Sequence, residues 1–210
     1  MRKVLLVDDH DVVRDGLKSI IAEHGVAREF GEASTAVEAL KLAAEHAWDL
    51  AVVEIALVGR SGLELVRELT RVRPSMPVLV LSILPEEQYA RRAFKAGAAG
   101  YITKQSSRAD LARAVAKVLE GGRYVSPELA EGLVADFDGH SERPAHQVLS
   151  DRELQVMRLL GAGRSVGQIA KLLSLSDKTI STYRARILEK MQFESTVEIV
   201  RYVIENKLNE

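Results

Sequence analysis

The chain has 210 residues, with 29 Lys plus Arg against 30 Asp plus Glu. That length allows one large domain or two small ones, and the near-zero charge balance gives no whole-chain sign of a nucleic-acid binder. The absence of cysteine excludes disulfides, thiolate nucleophiles and Cys-rich zinc sites. No apolar run approaches the ~20 residues that span a bilayer, and the short apolar stretch in MRKVLLVDDH is too brief for a signal peptide, so a soluble cytoplasmic chain is expected.

The first predicted element is a strand over Val4–Val7, ending in Asp8 and Asp9. Adjacent carboxylates at a strand end repel unless something positive lies near, and such oxygen donors suit Mg²⁺. A solvated helix cap is the simpler alternative. The next helix places Val13, Leu17 and Ile20 on one face and Arg14, Asp15 and Lys18 on the other, and Gly25 ends it. A second, less apolar strand is expected over Val26–Phe30. A helix follows over Thr35–His46, with Val37, Leu40 and Ala44 facing inward.

After Asp49 an apolar run leads to one carboxylate, Glu54. A continuous run of this kind fits a central parallel strand buried on both faces. The loop after it carries Gly59, Arg60, Ser61 and Gly62. The following helix turns Leu63, Val66 and Leu69 inward, and Pro74 and Pro77 bracket its exit. Val78–Leu81 is a short strand ending in Ser82. Pro85 opens and Gly97 closes a helix over Pro85–Ala96. Gly100–Thr103 is a brief strand ending in Lys104, and Leu111, Val115 and Val118 mark the buried side of a helix over Arg108–Glu120. Five strand–helix units imply a parallel, doubly wound α/β sheet. Polar groups from four strand ends then converge at its C-terminal edge: Asp8 and Asp9, Glu54, Ser82 and Lys104. Carboxylates, a hydroxyl and a lysine together are equipped to hold a phosphoryl group beside Mg²⁺.

These residues carry a resemblance. VLLVDDH at the first strand, the carboxylate at position 54, Ser82, and KAGAAGYITK ending in Lys104 resemble the receiver domain of two-component response regulators over residues 1–122. The resemblance implies a flavodoxin-like fold, with Mg²⁺ held by Asp8, Asp9 and the acceptor position, Glu54. It implies a sensor histidine kinase as phosphodonor, phosphate contacts from Ser82 and Lys104, and an aromatic, Tyr101, that changes rotamer on activation. The departure is Glu54 itself, where the family has Asp. Glu is longer by one methylene, on the order of 1.5 Å, and a misplacement of about 1 Å can cost in-line attack roughly 100-fold. Glu54 therefore implies a receiver that no longer accepts phosphate, or a substitution, natural or engineered, that imitates phosphorylation. Gln105 and Val58 stand where receivers often have proline.

Residues 123–146 read as a linker. One amphipathic piece, Pro127–Val134, is followed by Asp, Gly, Ser, Glu, Pro and His. Residues 147–210 carry no strand signal. Ser150 with Glu153 forms a capping box for a helix over Asp151–Leu160. Ser165 opens a second helix with Val166, Ile169, Ala170 and Leu173 inward. Leu175 and Ser176 make a turn, and Asp177 or Ser176 opens a third helix, to about Lys190, with Ile180, Tyr183, Ile187 and Met191 inward. Its outward face carries Lys178, Ser181, Thr182, Ala185 and Arg186. Lys178–Lys190 holds four basic residues (Lys178, Arg184, Arg186, Lys190) against Glu189. A fourth helix over Ser195–Asn206 shows Val197, Val200 and Ile204. Two short helices joined by a tight turn, the second bearing Lys, Ser, Thr and Arg, make a helix-turn-helix pattern. The bland alternative is a helical bundle with a solvated face.

The stretch LSDRELQVMRLLGAGRSVGQIAKLLSLSDKTISTYRARILEKM is similar to the LuxR/NarL-type output domain. That resemblance implies an all-α, four-helix domain that binds double-stranded DNA as a homodimer. Thr179 would contact the DNA backbone, and Ser181, Thr182 and Ala185 would form the base-reading face. Lys178 and Arg186 would reach inward, and Arg184 and Lys190 would serve phosphates. The expected protein is thus a DNA-binding response regulator and not an enzyme. Two alternatives are an atypical regulator controlled by protein interaction, and a phosphotransfer enzyme with an accessory helical domain. The last needs a nucleophilic Asp where Glu54 stands.

Overall fold

The computed structural model describes residues 2–57, 61–131 and 144–208. Val58, Gly59 and Arg60 of the loop after Glu54, and residues 132–143 of the expected linker, lie outside the described residues. The chain divides into two compact units, residues 1–139 and 140–210.

The first unit alternates β1 (Lys3–Val7), α1 (Asp11–Glu23), β2 (Glu29–Ala33), α2 (Ala36–Glu45), β3 (Leu50–Val53), α3 (Gly62–Val72), β4 (Val78–Ser82), α4 (Glu86–Lys95), β5 (Gly100–Thr103) and α5 (Arg108–Leu119). The sheet is parallel with order β2-β1-β3-β4-β5. Its central strands are buried throughout, as their unbroken apolar runs require. The order reverses direction on leaving β1, and β1 and β3 are direct neighbours. Asp8 and Glu54 therefore emerge side by side at the C-terminal edge, where open α/β sheets place their sites.

Three sequence expectations for this unit are corrected. The second strand lies three residues later than Val26–Phe30. Gly25, at φ +67°, and a bond from the Val26 amide to the Ile21 carbonyl carry the turn onward, so the β1 pairing begins only at Glu29. In α2 the buried face is Ala36, Ala39 and Ala43, while Val37 is exposed. Small side chains let this helix lie close to its neighbours, and the larger apolar residues flank the contact. In α1 the buried line is Arg14, Leu17 and Ile21, which places Arg14 on the inner face, opposite to its expected position. The faces of α3 and α5 match expectation.

The second unit holds a short 3₁₀ turn (Ala145–Val148), then α6 (Asp151–Gly161), α7 (Val166–Leu173), α8 (Asp177–Met191) and α9 (Thr196–Glu205). Capping boxes open α6, through Ser150 and Glu153, and α7, through Ser165 and Gln168. Ser174 closes α7 in the left-handed region at φ 53°, and the Ser176 hydroxyl accepts from the Thr179 amide to open α8. Each device satisfies a backbone group that a helix end leaves open. The expected apolar face of the last helix is corrected: Ile199 and Val203 are buried, while Val197 and Ile204 are exposed. Gly161 explains the register. Its bare backbone admits the Val203 side chain so closely that a Cβ there would lie 2.3 Å from a Val203 methyl.

Candidate functional site

Four strand ends deliver the expected pocket. Asp8, Glu54 and Ser82 are almost wholly buried, and burying this much negative charge is costly unless it is paired. Lys104 supplies the pairing, with its ammonium 2.5 Å from Asp8 Oδ2 and 2.9 Å from Glu54 Oε2. Burial pushes the Lys104 pKa down, but the two carboxylates outweigh it, so the lysine titrates above its ordinary value.

Glu54 is closely held. Its Oε1 accepts from the Ser82 hydroxyl at 2.5 Å and from the Ala56 amide at 2.7 Å. The Ser82 oxygen in turn accepts from the Leu84 amide at 3.3 Å. Tyr101 is fully buried, and its hydroxyl donates to the Leu84 carbonyl at 2.8 Å. Burial raises the Tyr101 pKa further above the range in which a phenol ionises. The structure therefore brings together Asp8, Glu54, Ser82 and Lys104, with Tyr101 one hydrogen bond behind.

The acidic loop adds a candidate ion site. Asp8, Asp9 and His10 each offer a donor atom, all within 4.8 Å of one another. His10 Nδ1 lies 2.9 Å from Asp9 Oδ1 and 3.2 Å from Asp8 Oδ1. Two hard carboxylate oxygens fit a Mg²⁺-type ion that keeps several waters. Both Glu54 oxygens are already engaged by Ser82, Ala56 and Lys104. Among the described residues Glu54 does not belong to that clustered donor group.

Sequence reasoning overlooked two residues here. His10 was legible only as the residue after an acidic pair. Arg14 donates to the Asp8 carbonyl at 2.6 Å and to Glu32 at 3.0 Å, and also pairs with Asp11. It buttresses the acidic loop from beneath. The available signal was the spacing of Asp11 and Arg14, which meet on one helix face.

In the second unit, Lys178, Ser181, Thr182, Ala185 and Arg186 are all exposed along α8. The Thr182 hydroxyl donates back to the Lys178 carbonyl at 2.9 Å, and the Thr179 hydroxyl lies 2.8 Å from that of Ser176. Lys190 is placed differently. Its ammonium sits 2.7 Å from Glu153, a buried carboxylate. Burial works to raise the Glu153 pKa, but Lys190 and the Ser150 amide and hydroxyl outweigh it and hold it below its usual range. Arg184 is half-buried.

A doubly wound sheet with paired carboxylates, a hydroxyl and a lysine at its C-terminal edge, followed by a separate helix-turn-helix unit, is the architecture of a regulatory protein with a DNA-binding domain. Comparison with known proteins agrees. The family model for the response regulator receiver domain matches residues 4–116, and that for bacterial regulatory proteins of the luxR family matches residues 147–203. Response regulator GacA of Pseudomonas aeruginosa is 36% identical over 200 residues, covering 95% of this chain and 94% of its own. The crystal structure of a LuxR-family two-component response regulator from Aurantimonas sp. is 33% identical with TM-score 0.60, covering 64% of this chain and 96% of that one. RcsB from Salmonella enterica serovar Typhimurium, bound to promoter rprA in the presence of phosphomimetic BeF3−, shares the fold at 21% identity and TM-score 0.69, covering 97% of this chain and 98% of that one. The chain belongs to the two-component response regulators with a LuxR-type DNA-binding output domain. No helix among the described residues is long and apolar enough to cross a membrane.

Proposed function

We propose that this chain is a transcriptional regulator whose receiver is engaged by Glu54 itself and not by a phosphoryl group. The observation that carries the reading is the bond from the buried Ser82 hydroxyl to Glu54 Oε1, with Tyr101 drawn fully inside. In the family it resembles, the hydroxyl reaches for phosphate and the aromatic changes rotamer on activation. Here a side-chain carboxylate collects the same Ser82 and Lys104 contacts. One carboxylate carries less charge and fewer oxygens than a phosphoryl group, yet its contacts to Ser82 and Lys104 are short, at 2.5 and 2.9 Å. The added methylene offers a reason, since it carries the carboxylate toward the hydroxyl and the ammonium.

On this reading phosphotransfer to position 54 is silent. The reacting oxygen is displaced from its in-line position and both oxygens have partners. Asp8 and Asp9, flanked by His10, hold a Mg²⁺-type ion weakly, and such an ion would neutralise the acidic loop. The sensor histidine kinase implied by the family then has no phosphoryl acceptor at position 54. The output is double-stranded DNA bound by a homodimer, at half-sites about one helical turn apart. Thr179 faces the DNA backbone, and Lys178, Ser181, Thr182, Ala185 and Arg186 form the reading face. Lys190, first expected at phosphates, is better placed to brace α8 through Glu153, while Arg184 keeps its expected role at phosphates. The test is intact-mass detection of phosphate after incubation with acetyl phosphate and Mg²⁺. The Glu54 protein should gain no phosphate, and the Glu54→Asp protein should be labelled. Labelling of both to the same level would refute the proposal.

A further inference from the structure

Beyond α5 the chain does not leave the receiver directly. Tyr124 bridges alongside Gly100 at the start of β5: its amide donates to the Ala99 carbonyl at 3.0 Å and its carbonyl faces the Tyr101 amide at 3.4 Å. Gly100 permits this approach, because a Cβ there would lie 3.0 Å from the Tyr124 Cβ and 3.1 Å from its carbonyl oxygen. Tyr124 and, farther on, Leu129 are buried. Between them, Ser126 caps the helical residues 127–131 through a 3.0 Å bond from the Leu129 amide. The Ser126 amide donates to Glu86 Oε1 at 3.4 Å, and its hydroxyl meets the same carboxylate. Glu86 is the first residue of α4, two positions after Leu84.

The order of these bonds is informative. Glu54 accepts from Ser82, and Ser82 accepts from the Leu84 amide. The Leu84 carbonyl accepts from the Tyr101 hydroxyl, and the backbone of Tyr101 meets Tyr124. Every link is backbone or a buried side chain. The strand β5 and the segment β4–α4 therefore meet both the pocket and the first residues of the connector. A conformational signal needs a physical element that both sites bias. The segment Tyr124–Glu131 satisfies that description, because Tyr124 pairs with the start of β5 and Ser126 with Glu86 at the start of α4.

We propose that Tyr124–Glu131 is an output strap latched to the receiver, that Glu86 is its positioning residue, and that Ser82 engagement in the pocket holds the latch closed. The proposal rests on the reading of Glu54 as the group that engages Ser82. It adds the route by which that state reaches the chain leading to the DNA-binding unit. Glu86 sits beside two further carboxylates, Glu87 and Glu128, and burial is the main cause of its raised pKa. Without the Ser126 donors that position would be unfavourable for a carboxylate.

The test is hydrogen–deuterium exchange of the full chain, reading the peptide covering 123–131 against a control peptide in α2. Losing one hydrogen bond of ordinary strength accelerates opening by about 2- to 13-fold. Glu86→Ala should therefore raise exchange in 123–131 by about fivefold and leave the control unchanged. Glu86→Gln, which keeps an acceptor oxygen for the Ser126 amide, should restore most of the protection. Ser82→Ala should raise exchange in the same peptide although it lies outside the strap. Unchanged exchange in Glu86→Ala would overturn the latch. A strap that loosens in Glu86→Ala but not in Ser82→Ala would overturn its control by the pocket. Neither result alters the phosphate-incorporation test, so failure of the strap and failure of the Glu54 reading are distinguishable. A melting curve of each variant, showing the receiver still folded, keeps both outcomes interpretable.

Discussion

The two units handle charged side chains in opposite ways. In the receiver, the charges at the site are drawn inside and paired: Lys104 lies between buried Asp8 and Glu54, and the buried Arg14 pairs outward with Asp11 and Glu32. On α8 of the helix-turn-helix unit, Lys178 and Arg186 stay exposed, while Lys190 turns back to a buried partner, Glu153. The difference matches what each unit does. A switch must hold a defined arrangement until something competes for it, so its charges belong in low dielectric, where pairing is strong and geometry strict. A DNA-reading face must keep its cations solvated and available for phosphates and base edges.

The largest expected effect breaks the receiver side of this contrast. Lys104→Met leaves Asp8 and Glu54 buried without their cation, and should cost the receiver about 3–5 kcal/mol, read as a lower urea midpoint for that unit. A loss below about 1 kcal/mol, the scale of a surface pair, would mean the triad is solvated and the contrast false.

The Lys190–Glu153 pair of the helix-turn-helix unit departs from this contrast and can be tested in the same way. Glu153→Gln removes the charge that Lys190 and the α6 cap share. It should cost about 1–2 kcal/mol, discounted because the Lys190 side chain is itself partly solvated. The pH sign follows from the direction of the shift. The Glu153 pKa is lowered in the folded unit, so its contribution is present above the unfolded carboxylate value and is lost as pH falls through the lowered one. Acid titration of the unit's melting temperature should be flatter in Glu153→Gln. An equally steep acid loss in both proteins would assign the pH dependence elsewhere.

On the exposed face the effects are smaller and appear in binding. Lys178→Ala and Arg186→Ala should each flatten the salt dependence of DNA affinity by about one unit of slope. Lys190→Ala should leave that slope alone and lower stability instead. Equal slopes for all three would erase the distinction between exposed and braced cations. Smaller still, Thr182→Ala removes a methyl whose companion hydroxyl is occupied by the Lys178 carbonyl. It should weaken a preferred site by about 1 kcal/mol and leave scrambled DNA unaffected, as measured by gel shift.

The sequence made the pocket legible because its chemistry is concentrated at strand ends. Each of Asp8, Glu54, Ser82 and Lys104 directly follows or closes an apolar run, and a parallel sheet aligns such ends whatever its loops do. The helix caps at Ser150 and Ser165 were readable for a related reason, since they are local bonds between residues three apart. Faces of amphipathic helices were less secure. In α2 the valine and leucine suggested one face, but alanines made the close contact. In α9 the face is set by Gly161 on another helix, which no pattern within α9 reveals. Arg14 looked solvated beside Asp15 and Lys18, and only the fold brings Glu32 within reach. The contacts of Tyr124 with Ala99 and Tyr101 and of Glu86 with Ser126 are likewise tertiary, the last joining residues 40 apart.

The central claim is that Glu54 does the work of a phosphoryl group, and DNA affinity tests it most directly. The Glu54 protein and its Glu54→Asp form are compared on one operator, each with and without acetyl phosphate and Mg²⁺. The account predicts that without the phosphodonor the Glu54 protein binds more tightly, and that the phosphodonor tightens binding only for the Asp form. An unphosphorylated Asp form that binds as tightly as Glu54, or a Glu54 protein that responds to the phosphodonor, would contradict it.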